Sequence, residues 1–198
     1  MTGISATTVE PTETGTDRYV IDGRFSRFTV RASATGLLAA MGHNPTIGIR
    51  DFSGEMTFNP NKLEAGSLKI IFKSSSLSVQ DDISAKDLRE MERLMDQEVL
   101  ETAKFPDILY EATNIFIVKM ADMLYSATLN GNLTLHGISR RQPVNVRVAL
   151  LGSMLRASGD FSLNQTDYDI KPVSVAGGAL KLKDELKFSF EIVARRQE

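Results

Sequence analysis

The chain has 198 residues, 42% of them hydrophobic, and a formal net charge of −2. That length suits one domain with a sizeable core, and the near-neutral balance gives no electrostatic case for nucleic acid. Cysteine is absent, which excludes disulfides, thiol catalysis and zinc–thiolate sites.

Met1 to Asp17 is polar and rich in Thr, Ser, Pro and Glu, without a basic start or an apolar run. It reads as a disordered lead-in rather than a secretory signal, which leaves 18–198 as a single domain. No apolar stretch is long enough to cross a bilayer. The expected setting is therefore cytoplasmic for the chain as given, and periplasmic if the chain is a processed form.

The domain then reads mostly as strands. Tyr19 to Ile21 is a short first strand, and Phe28, Val30 and Ala32 alternate with polar neighbours in a second. Gly36 to Met41 is an apolar turn or helical piece. Ile47 to Phe58 reads as one long strand, followed by Leu68, Ile70 and Phe72 alternating with Lys69, Ile71 and Lys73. From Ala85 to Glu101 the spacing changes. Leu88, Met91, Leu94, Met95 and Val99 recur at helical intervals, so an amphipathic helix is predicted there, ended by Phe105-Pro106. Ile108, Tyr110 and Ala112 open the next strand, which Ile115 to Val118 either continues or neighbours, and a hairpin turn is expected near Ala121-Asp122. Long alternating rows follow at Tyr125–Leu135, Val144–Leu150 and Leu155–Leu163, turning at His136-Gly137 and Gly152-Ser153. Asn164 to Lys183 is irregular, and Leu186, Phe188, Phe190 and Ile192 line one face of a last strand.

One pattern recurs three times: Ser53-Gly54-Glu55-Met56-Thr57-Phe58, Asn130-Gly131-Asn132-Leu133-Thr134-Leu135 and Ser158-Gly159-Asp160-Phe161-Ser162-Leu163. In each copy the glycine falls on the apolar face. A glycine inside a strand marks a bulge, a bend at a barrel corner, or a close approach of a neighbour. The count is roughly eight to ten antiparallel strands, each apolar on one face, with one inserted helix. An all-β fold follows, an extended antiparallel barrel of about eight strands, because closure removes the exposed edges. Its inward row contains Phe28, Val30, Met56, Phe58, Ile70, Phe72, Tyr110, Leu133, Val146, Phe161, Phe188 and Phe190. Periodicity alone leaves open whether these residues fill the core or line a cavity.

Several stretches in order resemble the YceI-like family of lipocalin-like, polyisoprenoid-binding proteins. They are Tyr19-Val20-Ile21-Asp22, Phe28-Thr29-Val30-Arg31, Gly42-His43 followed by Phe52-Ser53-Gly54, Phe105-Pro106-Asp107-Ile108, and the hairpin from Gly131 through Gly137-Ile138-Ser139 to Pro143-Val144. The resemblance spans about residues 18 to 194. It implies a barrel holding a long apolar ligand (a polyisoprenoid, quinone-like or fatty-acyl chain) in a central tunnel, with a helix near one end and homodimers common. Phe25-Ser26 and Asn164 to Asp169 depart from the family's usual residues. The twelve inward residues above are then the ligand-binding set, and Leu88, Met91 and Met95 a portal or lid.

The other chemistry is thin. His43 and His136 each sit beside a glycine, where capping a turn is favoured over binding a metal with Asp51, Asp167 or Asp169, since their spacing is not that of a catalytic zinc site. No Gly-x-Ser-x-Gly elbow occurs, and Ala176-Gly177-Gly178 lacks the lysine of a phosphate loop. No catalytic residue, metal or cofactor is assigned. The expected function is binding, sequestration or transport of an apolar chain. The alternatives are a ligand-free dimeric interaction domain and, below it, a lipid-modifying enzyme built on His43, Asp167 and Tyr168.

Overall fold

The computed structural model of the chain describes residues 17–35, 44–59, 66–175 and 180–197. Nearly all of the N-terminal lead-in, the Gly36–Met41 piece, His43 and the Ala176-Gly177-Gly178 loop lie outside the described residues.

The strands are β1 (Asp17–Ile21), β2 (Arg27–Thr35), β3 (Thr46–Ile49), β4 (Phe52–Phe58), β5 (Ser67–Lys73), β6 (Leu77–Val79), β7 (Asp107–Ala121), β8 (Leu124–Leu135), β9 (Ile138–Leu151), β10 (Met154–Asn164), β11 (Ser174–Val175) and β12 (Leu180–Arg196). The ring β1-β4-β5-β7-β8-β9-β10-β12 closes where Tyr19–Ile21 of β1 pairs antiparallel with Ala194–Arg196 of β12. This is the expected eight-stranded antiparallel barrel. The rest of β12 pairs with β2, from which β3 and β6 continue the wall.

Two differences from the sequence reading have a common cause. Ile47 to Phe58 is two strands, not one, because Arg50 and Asp51 leave the ladder. Arg50 N donates to Ser76 O at 3.3 Å and Asp51 N to Ser76 Oγ at 3.0 Å. Facing them, Ser74–Ser76 forms a single 3₁₀ turn between β5 and the short β6, a strand the sequence did not announce. The two chains bend at one level, so β3 pairs with β2 while β4 pairs with β1. In contrast, Ile115–Val118 does continue the preceding strand, with a register shift between Ala112 and Asn114.

Helix α1 (Ala85–Leu94) starts at Ser84, whose Oγ accepts from Asp87 N at 3.1 Å and donates to Asp87 Oδ2 at 2.7 Å, a mutual cap of the first turn. It runs into a wider π turn at Met95–Val99, closed by Leu100 N donating to Met95 O. The helix sits beside β6, where Val79 N donates to Glu92 Oε1 at 3.3 Å. The β8–β9 turn is the one the sequence marks: His136 (φ 52°) and Gly137 (φ 75°) both take the left-handed conformation that a two-residue hairpin needs. Met123 (φ 59°) does the same in the β7–β8 turn without a glycine to relieve it.

Candidate ligand-binding cavity

The inward faces do not meet everywhere. They enclose a cavity of about 260 Å³ that runs from Phe58 and Leu155 at one end of the barrel to Pro45, Val173 and Leu182 at the other. All twelve inward residues named from the sequence lie on its wall. Of the expected portal residues, Met91 and Met95 face the cavity and Leu88 does not; Leu94 and Val99, which the helical spacing did not single out as portal residues, do. The helix therefore supplies part of the wall.

The three recurring glycines explain how the lumen is shaped. Opposite Gly131 lies the ring of Tyr110: a Cβ on that residue would stand 2.5 Å from Tyr110 Cζ and 2.7 Å from the carbonyl oxygen of Glu111. At Gly159 the ring of Phe190 occupies the same place, where a Cβ would stand 2.7 Å from Phe190 Cζ and 2.5 Å from Asn145 O. At Gly54 the neighbours are Ile21 Cδ1 at 2.8 Å and Lys69 O at 2.9 Å. Each glycine is thus a close-approach site, where a side chain from a neighbouring strand lies flat against the wall. Other inward rings pack on one another. Phe28 is edge-on to Phe52 and Phe72, with centroids 4.8 Å apart in both pairs. Phe161 stacks on Phe188 at 4.8 Å, and Phe58 meets Tyr125 edge-on at 5.4 Å.

No charged side chain lines this cavity among the described residues. Four of its polar side chains, Thr57, Ser67, Tyr110 and Gln165, face one another or the backbone. Thr57 Oγ1 and Ser67 Oγ are 2.8 Å apart. Gln165 Nε2 donates to Lys183 O at 2.9 Å. Tyr110 Oη donates to Gln142 O at 3.0 Å, with Leu129 O at 3.3 Å, and burial pushes its pKa up to about 12. Every buried side-chain nitrogen or oxygen among the described residues has a hydrogen-bond partner. The wall therefore offers dispersion contacts and area, and demands no polar group from an occupant.

The ionisable groups that the sequence raised lie elsewhere. His136 is tied at the β8–β9 turn: Nε2 is 2.7 Å from Glu101 Oε2, Nδ1 is 3.2 Å from Tyr168 O, and the Phe105 ring lies 4.3 Å away. Asp167 is exposed, and the buried Tyr168 has its pKa raised, by burial first and then by Asp167. No group of three or more His, Cys, Asp or Glu residues is placed to hold a metal among the described residues. Asp22, part of the opening motif, is a clamp at the barrel wall. It bonds Arg24 and Arg195 at 2.9 and 3.0 Å, and these guanidiniums, Arg24 first, hold its carboxyl well below the usual carboxylate range.

A closed eight-stranded barrel with an apolar lumen and one helix against its wall is the fold class these observations define. Residues 19–194 match the YceI-like domain, and the chain belongs to that family. Among curated proteins it is 27% identical to a UPF0312 protein of Shewanella baltica over 185 residues, 86% of this chain and 88% of the relative. Among solved structures, BcnA of Burkholderia cenocepacia superposes with a TM-score of 0.67 at 17% identity, covering 87% of this chain and 98% of that one. A polyisoprenoid binding domain from Saccharophagus degradans superposes with a TM-score of 0.62 at 15% identity, covering 90% and 98%. At such identities the two structures share the fold with this chain.

Proposed function

We propose that this barrel binds the hydrocarbon part of a lipid or isoprenoid and so sequesters or carries it. One observation carries the reading: a cavity of about 260 Å³ whose wall bears no described charge and whose buried polar side chains already have partners. Burial of each methylene contributes roughly 0.8 kcal/mol, so affinity needs no hydrogen bond to the ligand. The family, and the name of the Saccharophagus degradans structure, support the same reading. Turnover of the chain would need an ionisable or nucleophilic group facing it. The wall supplies apolar side chains instead, which favours binding over catalysis. Native mass spectrometry of freshly purified protein, followed by organic extraction, tests the proposal. An added mass that partitions into the organic phase is expected. A bare chain mass that persists after incubation with isoprenoid and fatty-acyl lipids would overturn it.

A second reading, self-association, draws on a different surface. Phe116 (65% exposed), Val118 and Met120 (68% exposed) stand in a row on the outer face of β7, beside Leu124 of β8. Past Ala112, β7 has no strand partner opposite β8 among the described residues. An apolar row beside an open edge is where a second copy would add its own strand. Sedimentation of the wild type against Phe116→Glu tests this: a dimer that the substitution dissociates supports it, and a monomer at high concentration refutes it.

A further inference from the structure

One stretch of the side wall is not closed by paired strands. Among the described residues β6 pairs only with β3, and β3 and β4 part at Arg50-Asp51. There the lumen is bounded by side chains of α1 and its π turn instead of a hydrogen-bonded ladder. A second recess, of about 360 Å³, lies beyond those side chains. Leu77, Met95 and Leu100 line both spaces and so separate the apolar lumen from the recess. Met95 is half-buried and opens the π turn, and its unbranched thioether can swing aside without breaking a ladder. The groove on the outer face at Ser158–Asp160 is different, because the β9–β10–β12 ladder cuts it off from the lumen.

The recess is polar where the lumen is apolar. Arg50, Glu92 and Asp96 line it, together with the serines of the Ser74–Ser76 turn and Ser78. Glu92 Oε1 accepts from Val79 N at 3.3 Å and Asp96 Oδ1 accepts from Thr102 Oγ1, which leaves the second oxygen of each carboxylate open. Arg93 does not neutralise them, because it pairs with Glu90 and Glu98.

Resting on the binding function above, we propose that this recess receives the polar head of the bound chain and selects an uncharged hydroxyl over a phosphate. A hydroxyl both donates and accepts. It donates to Glu92 or Asp96 and accepts from Arg50 or Ser75. A phosphate carries about −1.5 to −2 charges at neutral pH. It would meet the carboxylates of Glu92 and Asp96 with only the Arg50 guanidinium to offset them.

Calorimetric titration of the full chain with farnesol and with farnesyl monophosphate tests the selection, because the two share one hydrocarbon chain and differ in the head. Farnesol is expected to bind roughly tenfold tighter or more. A head left in water would contribute nothing to the difference. Equal dissociation constants, or tighter binding of the phosphate, would overturn the selection while leaving the binding function standing. Failure of both to bind would instead overturn the binding function, and the selection with it. Glu92→Gln combined with Asp96→Asn keeps an acceptor for Val79 N and for Thr102 Oγ1. This variant is expected to close most of the gap by strengthening phosphate binding. A ratio that stays at the wild-type value, with the urea midpoint showing the variant folded, would also overturn the assignment to this recess.

Discussion

Two walls of the barrel, β8 and β12, carry the same alternation and end in different states. The inward row of β8 is Tyr125, Ala127, Leu129, Gly131, Leu133 and Leu135, all buried. Along β12, Leu182, Leu186, Phe188 and Phe190 are only half-buried although they face the lumen, and the row becomes buried only at Ile192 and Ala194, towards the end that pairs with β1. Neighbours account for the difference. β8 is paired along its length with β7 and β9, and its small residues Ala127 and Gly131 let rings such as Tyr110 fold down over them. β12 changes register against β2 between Leu182 and Leu186, and its bulky residues reach into the lumen, where their tips border the void. A wall of fully buried side chains and a wall of half-buried ones can thus border one cavity and share one binary pattern. What separates them is side-chain height and the continuity of the ladder on each side.

Substitutions at the two walls can break or sharpen this contrast. The largest effect is expected at Gly131. An alanine there collides with the Tyr110 ring and the Glu111 carbonyl, and should cost about 3 kcal/mol of stability in urea unfolding. A cost near zero would mean that the β8 wall is not tightly packed. Next, Leu133→Ala on the packed wall should cost about 3 kcal/mol, and Phe161→Ala, half-buried and stacked on Phe188 beside β12, about half as much. Equal costs would erase the distinction between the walls.

A smaller effect belongs to Tyr110→Phe, which removes the hydroxyl that donates to Gln142 O and should cost about 1 kcal/mol at neutral pH. The same variant sharpens the contrast at high pH. Folded Tyr110 keeps its proton to about 12, whereas an unfolded tyrosine loses it near about 10. Between those values the unfolded chain binds fewer protons, so stability falls as pH rises, and Tyr110→Phe should lose less than the wild type over that range. The smallest effect concerns the β1–β12 closure rather than the lumen. Folded Asp22 has a depressed pKa, so its contribution is present above about pH 4 and is lost as pH falls below it. Acid unfolding of Asp22→Asn should lack that component.

The barrel was legible because its long strands alternate strictly, and the twelve inward residues follow directly from that period. The break at Arg50-Asp51 was hidden because the apolar pattern runs on either side of it, while the hydrogen bonds that bend the chain come from Ser76, a residue distant in sequence. Strand β6 is three residues long and follows three serines, too little for periodicity to register. Leu88 shares the apolar stripe of α1 with Met91 but lies off the cavity wall, a matter of how the helix is rotated against β6. Whether the lumen is hollow was not legible, since packed and lined interiors have one pattern. A usable signal did exist in the unequal sizes of the two rows: alanine and glycine interrupt Tyr125–Leu135, whereas Leu186, Phe188 and Phe190 are all bulky.

The hollow wall is the central claim, and diffraction from crystals of the protein pressurised with xenon tests it most directly, because xenon enters dry apolar cavities without needing a polar partner. Xenon is predicted inside the barrel against Phe161, Phe188 and Met56, with none between β8 and its neighbours. An interior free of xenon, with the rings of β12 closed onto β4 and β8, would contradict the account and remove the proposed binding site.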